Sequence, residues 1–236
     1  MTGVQTCALP IFPGVAGLQA IDVTGASATD ARIAELRAIH LSHFPDHPHV
    51  ADEMELAART GSFDPEVVVH QWLLLLDGEP VGEYVFHVNR RRGVMLRHFL
   101  AVDQPARKRL PLRWIAAITA RVQEQGDDDM AVTGRPLLAM MSEVNPHHLD
   151  GWRRLGYRTL DIGYREPHHG KHWADFGEPT YFEMSPCVKL TPAGEALPIS
   201  EVARAAVLAF LVDHYRLPED DPTVVGILAR ADALAE

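Results

Sequence analysis

Three apolar strands in close succession constrain the fold of this chain more than any other feature of its sequence. Val67–Leu76 is rich in β-branched and other apolar residues, and the Asp77-Gly78 pair that follows it favours a tight hairpin turn. The second predicted strand is Val81–Val88, and the third is Val94–Val102. Because strands joined by short turns pair antiparallel, we expect these three to form the centre of a sheet.

Helical and strand patterns alternate along the rest of the chain. We expect these further elements at Gly17–Val23, Asp30–Leu41, Ala51–Arg59, Pro111–Gly126, Pro136–Met141, His147–Leu155, Arg158–Tyr164, Thr180–Leu190, Ile199–Tyr215 and Pro222–Leu234. Ser27 or Thr29 is expected to cap the first helix, Gly126 to end the third, and Asp127–Asp129 to form a solvated loop. The predicted fold class is α/β (α+β), with a mixed, mostly antiparallel central sheet flanked by helices and a C-terminal helical pair.

The composition is that of one domain of ordinary size. The 236 residues are 47% hydrophobic, which is enough for a core without disulfides or a structural metal. The net charge of −10 argues against broad nucleic-acid binding, since that needs a basic face. No stretch approaches about eighteen apolar residues, so we expect no membrane span.

The first residues, Met1–Ile11, match a translated frame of a common sequencing-library adapter. We therefore expect them to be an unstructured artefact, and we expect their removal to leave the melting temperature unchanged. Cys187 is then the one authentic cysteine, which excludes a disulfide framework and favours a reducing, cytoplasmic location.

A basic turn after the third central strand has the pattern of an anion-binding site. The strand ends at Val102, a polar turn follows, and a helix is predicted to begin at Pro111; between them lie Arg107, Lys108 and Arg109. The unpaired backbone N–H groups of a helix N-terminus attract negative charge, and nearby cations add to this. In a chain of net negative charge, this local reversal indicates a site for a phosphorylated ligand.

This segment resembles the GCN5-related N-acetyltransferase (GNAT) superfamily. One signature of the superfamily is a strand ending in Val, then Pro, then Arg-Gly-x-Gly-x-Gly/Ala opening a helix, and its counterparts here are Val102, Pro105 and Arg107. The other is an Asn, a Tyr seven residues later and a Gly-Phe four residues further on. Its counterparts in spacing are Asn145, Trp152 and Gly156-Tyr157.

The likeness covers about Leu18–Lys189 and is closest over Val94–Tyr157. It implies a GNAT-like acyltransferase domain over residues 12–192, followed by a C-terminal helical extension over 193–236. It also implies transfer of an acyl group from acetyl-CoA or another acyl-coenzyme A to an amine. In the superfamily two parallel strands splay apart around the pantetheine arm, and the corresponding strands here are Leu96–Val102 and Leu137–Met141.

The resemblance further implies which residues hold the coenzyme. The thioester would lie along the third central strand, the pyrophosphate on the basic turn, and the pantetheine arm near the second signature. The residues concerned are Leu100, Ala101, Val102, Arg107, Lys108, Arg109, Leu110, Leu112, Arg113, Asn145 and Trp152.

Two departures from the superfamily pattern stand out. The three glycine positions of the phosphate loop hold Lys108, Leu110 and Leu112, and a non-glycine residue costs roughly 1–2 kcal/mol if positive φ is needed there. Arginine and lysine contacts to phosphate could compensate, or the loop could follow another path and bind a weaker or altered coenzyme. Trp152 replaces a tyrosine that can protonate the leaving thiolate, and an indole N–H cannot release a proton at neutral pH.

Acyl transfer to an amine also needs a base. Glu83 and His87 share one face of the second central strand, and His98 lies on the neighbouring strand. Glu143 lies just before Asn145. We take Glu83, His98 and Glu143 as the candidates for catalysis, with an ordinary hydrogen-bonded side chain as the alternative at each position.

The thirteen histidines fall largely in two groups. The groups are His40, His43, His47 and His49, and His147, His148, His168, His169 and His172. They contain no His-Glu-x-x-His pattern, so we expect no metal, although a metal-dependent hydrolase stays an alternative. By the resemblance, these loops surround the acceptor site.

The sequence thus predicts a cytoplasmic N-acetyltransferase, an acyltransferase for groups other than amino-acyl groups, acting on a small-molecule or peptide amine. No nucleic acid or membrane partner is expected, and the apolar stripe of the C-terminal helices fits core packing or a homodimer surface. The alternative within the same fold is a protein that binds acyl-coenzyme A without catalysis.

Overall fold

The computed structural model describes residues 12–27, 29–62, 64–167 and 181–235. The strands are β1 Leu18–Asp22, β2 Val67–Leu76, β3 Glu79–Asn89, β4 Val94–Val102, β5 Ala139–Val144, β6 Arg158–Thr159, β7 Arg165–Pro167, β8 Tyr181–Glu183 and β9 Ser185–Leu190. The α-helices are α1 Ala31–His43, α2 Pro48–Thr60, α3 Gln104–Arg107, α4 Trp114–Ala131, α5 Leu149–Arg154, α6 Pro192–Glu195, α7 Ile199–Val207 and α8 Pro222–Asp232. A 3-10 turn spans Pro146–His148, and a π-helical segment spans Leu208–His214.

Seven strands of the described chain form one sheet in the order β1-β2-β3-β4-β5-β9-β6, and β7 and β8 pair separately. β1 pairs antiparallel with β2, and β9 pairs antiparallel with both β5 and β6. β4 and β5 are parallel. The predicted mixed, mostly antiparallel sheet with flanking helices is therefore confirmed.

The described chain divides into two compact units. One comprises the described residues up to Pro65, together with Val69–Phe86 and Phe99–Gln125. The other comprises Glu66–Val68, His87–His98 and the described residues from Gly126 onward. β3 and β4 each contribute residues to both units.

Each unit has its own apolar core. In the first, α1 and α2 pack with the sheet through buried residues that include Ile33, Leu36, Met54, Leu73 and Val85. In the second, the C-terminal helices pack with β4 and β5 through residues that include Leu96, Met141, Val202, Ala206 and Phe210. The apolar stripe of the C-terminal helices therefore packs into a core. The predicted domain boundary after residue 192 stays a prediction.

The helix after the basic turn differs from the prediction. α4 begins at Trp114, and it continues through Gly126 and Asp127–Asp129 to Ala131. A β-carbon at Gly126 would lie 2.4 Å from Cε of Met95 and 3.1 Å from a methyl carbon of Leu137. The predictions of a helix stop at Gly126 and of a solvated loop were wrong, because this glycine allows close packing in mid-helix instead of ending the helix.

Two further details differ from the sequence pattern. Asp30, not Ser27 or Thr29, caps α1 by accepting a hydrogen bond from the backbone N–H of Arg32. A strand was predicted over Arg158–Tyr164, all of which the structure describes. Only its first part, Arg158–Thr159, pairs in the sheet. The apolar residues that suggested a longer strand are buried in the core instead; they are Leu160, Ile162 and Tyr164.

The helical geometry changes within the predicted Ile199–Tyr215 helix. Its second half, Leu208–His214, is π-helical, a rare geometry that often occurs at functional sites. Among the described residues, no helix is long and apolar enough to cross a membrane.

Candidate active site

The parallel pairing of β4 with β5 is short. It joins Val94 with Ala139 at one end and Arg97 with Ser142 at the other. β4 continues to Val102 and β5 to Val144, beyond the last parallel pair. The parallel ladder therefore stops five residues before the end of β4 and two residues before the end of β5.

Glu143 lies on β5 one residue after the last parallel pair, and its carboxylate is held by two tyrosines. Tyr164 donates a hydrogen bond to Oε1 at 2.5 Å, and Tyr215 donates one to Oε2 at 2.7 Å. The Tyr215 hydroxyl also lies 3.2 Å from Oε1 of Glu166. Two carboxyl groups therefore share one phenol, and both are half-buried.

This arrangement raises the proton affinity of both carboxyl groups. Burial raises the pKa of Glu143 well above its ordinary value, the nearby Glu166 raises it further, and the hydrogen bonds from the two tyrosines oppose the shift. Burial raises the pKa of Glu166 to about 7. Tyr215 has one hydroxyl hydrogen, which it shares between Oε2 of Glu143 at 2.7 Å and Oε1 of Glu166 at the longer distance of 3.2 Å. The cluster can therefore accept and release a proton near physiological pH.

Glu83, another predicted base, lies on β3 in a closed environment. It is fully buried, and its Oε1 lies 2.9 Å from Nδ1 of the equally buried His40. Phe44 and Phe99 pack against His40 with ring centroids 5.2 and 4.8 Å away. Oε2 of Glu83 and Nε2 of His40 have no hydrogen-bond partner in the described chain. The pair is desolvated, with no exposed face toward a substrate.

His98, the third predicted base, belongs to a group of three imidazoles. Its Nε2 lies 3.2 Å from Nδ1 of His87, and its ring centroid lies 4.3 Å from that of His214. Burial, and then the neighbouring imidazoles of His87 and His214, lower the pKa of His98 well below its ordinary value. His98 is therefore a neutral imidazole at physiological pH.

Trp152 lies on α5 and takes part in an aromatic and cationic cluster. Cζ of Arg97 lies 4.6 Å from the centre of its ring, within cation–π distance, and Tyr157 packs edge-on at 4.8 Å. The Tyr157 hydroxyl accepts a hydrogen bond from Arg97 and donates a weak one to the sulfur of Met140. Burial raises the pKa of Tyr157, while Arg97 opposes the shift. Tyr157 is therefore a poor proton donor at neutral pH.

Asn145 follows β5 and begins the 3-10 turn. Its side-chain oxygen accepts a hydrogen bond from the backbone N–H of His147 at 3.0 Å, and the residue is exposed. Its amide NH₂ group takes no part in this cap bond, which leaves a donor available for a ligand.

The basic turn begins with the short helix α3, and its cations are exposed. Arg107, Lys108 and Arg113 are exposed, and Arg109 forms an ion pair with Asp77. Among the described residues, Asp77 and Arg216 are the only non-glycine residues with positive φ. The residues at the predicted glycine positions therefore carry no strain of that kind, because the turn takes a helical path that needs no positive φ.

The two leucines of the turn differ in exposure. Leu110 is buried, whereas Leu112 is fully exposed. The strand segment before the turn, Leu100–Val102, lies close to Gly82 on β3, where a β-carbon would lie 2.3 Å from the backbone oxygen of Ala101. Glycine at this position allows β3 to approach β4 closely.

The histidines singled out in the sequence do not gather into one site. His40 pairs with Glu83, and His43 pairs with Asp103 at 2.8 Å. The rings of His47 and His49 are 6.2 Å apart, and His147 and His148 are exposed. His168, His169 and His172 lie outside the described residues. Three other histidines, His87, His98 and His214, come from three separate elements and lie close together.

Glu143 has three partners that were not predicted from the sequence: Tyr164, Glu166 and Tyr215. His214, the neighbour of His98, was not predicted either. Tyr215 lies 72 positions from Glu143 along the chain, and Tyr164 lies 21 positions away. No local spacing marks such pairs. The sequence feature that could have indicated these partners is weak, because it consists only of tyrosines close to acidic residues and apolar segments.

A surface cavity of about 490 Å³ lies beside this cluster. Tyr164, which donates to Glu143, forms part of its wall. Charged residues of both signs and apolar residues line the rest; the charged ones are Asp161, Arg165, Glu183 and Arg230. The cavity therefore offers a polar environment next to the phenol that contacts the carboxylate.

Comparison with known proteins gives a likeness in fold without a close relative. No protein-family model matches the sequence, and no curated protein is similar enough to count as a match. Similar solved structures include GCN5 from Tetrahymena, with 10% identity, a TM-score of 0.45, and coverage of 69% of this chain and 88% of that one. An acetyltransferase from Thermus thermophilus has 15% identity, a TM-score of 0.45, and coverage of 73% and 97%.

RimL, an acetyltransferase of ribosomal L7/L12 solved in complex with coenzyme A, has 11% identity and a TM-score of 0.45, and the match covers 78% of this chain and 99% of RimL. In fold, this chain is similar to solved acetyltransferases of the GCN5-related superfamily, the group that its sequence resembles.

Proposed function

We propose that this protein is an N-acyltransferase of the GNAT type, which transfers an acetyl or other short acyl group from its coenzyme A thioester to an amine. One observation carries the proposal: Glu143, at the end of the parallel β4–β5 ladder, is a half-buried carboxylate between two phenols and beside a second carboxyl group. The arrangement gives Glu143 the proton affinity that a base for an ammonium substrate needs.

In the reaction that we propose, Glu143 removes one proton from the ammonium form of the acceptor. The neutral nitrogen attacks the thioester carbonyl, the carbon–sulfur bond breaks, and the sulfur leaves as a thiolate. The nitrogen loses its second proton as the thiolate gains one, so the products are an amide and free coenzyme A. A protonated Glu143 can still accept hydrogen bonds from the two tyrosines through its remaining lone pairs, so the cluster takes up the proton while keeping these bonds.

The coenzyme would be held by the residues that the resemblance assigns. Backbone N–H groups of Phe99–Val102 would polarise the thioester carbonyl. The exposed cations Arg107, Lys108 and Arg113 would contact the phosphates, and Arg109 would exchange Asp77 for a phosphate. The free amide donor of Asn145 would contact the pantetheine arm.

No tyrosine lies at position 152 to protonate the leaving thiolate. Trp152 can donate only a hydrogen bond, and its ring is engaged by Arg97. Arg97 is a buried cation that lies close to Trp152 and Tyr157. We propose that its positive charge lowers the cost of developing negative charge on sulfur.

The proposal is tested first by binding and turnover. Calorimetry with coenzyme A and acetyl-CoA should give stoichiometric binding, and a panel of amines incubated with acetyl-CoA should release free thiol with at least one acceptor. Binding without thiol release across a broad panel would favour a protein that only binds acyl-coenzyme A. Absence of binding would contradict both functions.

A variant pair tests where the phosphates bind. Replacing Arg107 and Arg109 together by Ala should weaken coenzyme A binding by several kcal/mol at most, since each charged hydrogen bond is worth about 1.5–3 kcal/mol. Arg107→Ala alone should weaken binding more than Arg109→Ala alone, because Arg109 already has Asp77 as a partner. Arg204→Ala, which removes another exposed ion-paired arginine, is the control. Unchanged affinity in the double variant would show that the phosphates bind elsewhere.

We also propose a cytoplasmic location and a small-molecule or peptide amine as the acceptor. The buried free thiol of Cys187 is compatible with a reducing compartment. The polar cavity beside Tyr164 is our candidate for the acceptor site, because it brings a bound amine close to the Glu143 cluster.

A further inference from the structure

We propose that His87, His98 and His214 form a binding site for a divalent transition metal ion of the Zn²⁺ type. The three residues come from β3, β4 and the π-helical segment. Among the described residues, they are the one group of three whose ligand atoms all lie within 4.8 Å of one another. All three side chains are half-buried, so an ion can reach them from solvent.

The distances suit a metal with modest movement of the side chains. Zinc binds histidine nitrogen at about 2.0–2.1 Å, which places the nitrogens of a tetrahedral site roughly 3.3 Å apart. Nε2 of His98 and Nδ1 of His87 are already 3.2 Å apart. The remaining nitrogens need to approach by roughly 1.5 Å at most, which rotation of the imidazole rings can supply.

Two elements that carry these ligands are fixed to each other by a buried network. Asn89, two residues after His87, donates a hydrogen bond from Nδ2 to Asp213 at 2.8 Å. Arg92 donates to the same carboxylate from Nε at 3.0 Å. Asp213 immediately precedes His214 and is buried. The backbone positions of His87 and His214 are therefore held relative to each other before any ion binds, which is the preorganisation that a metal site requires.

The chemistry of the donor set selects the class of ion. Three imidazoles suit Zn²⁺, Cu²⁺ or Ni²⁺ and not Mg²⁺ or Ca²⁺, which prefer oxygen ligands. Imidazole binds a metal in its neutral form. Three protein ligands also leave a fourth tetrahedral position for water, as in zinc sites that stay open.

The ring environment limits the access of further ligands. The ring of Phe210 lies 5.6 Å from that of His98, and the ring of Tyr215 lies 4.7 Å from that of His214. These aromatic rings pack against His98 and His214 and shield part of the site from water. The expectation of no metal depended on spacing within the two histidine-rich groups, and neither group contains any of these three residues.

The experiment measures Zn²⁺ binding to the full chain after treatment with a chelator and dialysis. Calorimetry at neutral pH should give one ion per chain. His98→Gln and His214→Gln should each weaken binding by about a hundredfold or more, which exceeds the cost of losing an outer-shell partner. The double variant His147→Ala/His148→Ala removes two exposed histidines outside the site and should bind Zn²⁺ as tightly as the unaltered chain.

A second measurement separates loss of the site from loss of the fold. A hundredfold excess of Zn²⁺ over its Kd should raise the Tm of the unaltered chain by about 5–10 °C and leave that of a folded His214→Gln variant unchanged. Substitution by Co²⁺ should give visible absorption bands of a four-coordinate ion, and these should be lost in His98→Gln. Absence of stoichiometric binding, or binding that survives both glutamine variants, would overturn the proposal.

Discussion

Glu83 and Glu143 are both acidic residues on strands of the same sheet, but their environments differ in access and in partners. Glu83 is fully buried with a single partner, His40, and one oxygen of its carboxyl group has no hydrogen bond in the described chain. Glu143 is half-buried, both of its oxygens accept hydrogen bonds from tyrosines, and Glu166 lies close to it.

The difference shows that burial alone does not make a carboxylate a base. A base needs raised proton affinity, a route to the substrate, and partners that remain satisfied when its charge changes. Glu143 combines a raised pKa with two tyrosine partners, and we propose that the cavity beside Tyr164 supplies the route to the substrate. Glu83 has a closed contact with His40 that suits a structural role. Both residues are candidates from their positions on predicted strands, and their tertiary surroundings distinguish them.

Replacing the proposed base gives the largest expected effect. Glu143→Gln should reduce kcat for acetyl transfer by about 10²–10⁴-fold, because an amide cannot accept the proton. The affinity for coenzyme A should stay unchanged. Glu195→Gln, a change at an exposed carboxylate on α6, is the control. A severe loss of kcat in Glu83→Gln, together with normal turnover in Glu143→Gln, would reverse the assignment of the two residues.

The structural role of Glu83 predicts a large effect on stability. Glu83→Ala should lower the free energy of unfolding by about 3–5 kcal/mol, because it leaves the buried His40 without its partner. Glu83→Gln should cost less, since its amide oxygen can still accept from the imidazole. Urea unfolding of both variants measures the difference. A loss below about 1 kcal/mol in Glu83→Ala would show that the pair does not stabilise the fold.

Glu166 should make stability depend on pH. Its folded-state pKa is raised to about 7 from an ordinary value of 4.5, so the folded protein holds this proton more tightly than the unfolded chain does. Stability is therefore lost as pH rises from about 4.5 to about 7, by at most about 3 kcal/mol from this group. Glu166→Gln should lose less stability than the unaltered chain between pH 5 and pH 8.

Urea unfolding at the two pH values tests this dependence, with Glu219→Gln, at an exposed carboxylate, as the control. If the stability of Glu166→Gln depended on pH as that of the unaltered chain does, Glu166 would not be the group that causes the dependence.

The smallest effect concerns the tuning of Glu143 by its tyrosine partners. The hydrogen bond from Tyr164 lowers the pKa of Glu143, so Tyr164→Phe should raise it. The acidic limb of the pH profile of kcat/KM should move to higher pH by about one unit, the equivalent of one hydrogen bond of about 1.4 kcal/mol. Tyr181→Phe removes a phenol bonded to Thr223 and should leave the profile unchanged. A profile that moves equally in both variants would contradict this tuning.

Local sequence signals predicted the elements whose ends depend on local chemistry. The apolar run to Leu76 and the Asp77-Gly78 turn gave β2 with its observed ends, and Val94–Val102 was likewise found as predicted. Gly126 misled the prediction because glycine favours a helix stop locally, whereas here it permits contact with Met95 in mid-helix. The strand predicted to end at Tyr164 pairs only over Arg158–Thr159, because its later apolar residues pack into the core.

The candidate site was predictable only in part. His98 was a candidate because it lies on a central strand, and Glu143 because it lies just before Asn145. Their partners Tyr164, Tyr215 and His214 could not be found, because they come from segments far along the chain with no spacing to relate them.

The sequence by itself determined the sheet, since turn residues and apolar periodicity act over a few neighbouring positions. It also determined the charge reversal at the basic turn, because formal charges are visible in any conformation. Only the tertiary structure decided which carboxylate is enclosed, which is shared between two phenols, and which imidazoles meet. Proton affinity and metal binding depend on desolvation and on partners that only folding brings within bonding distance.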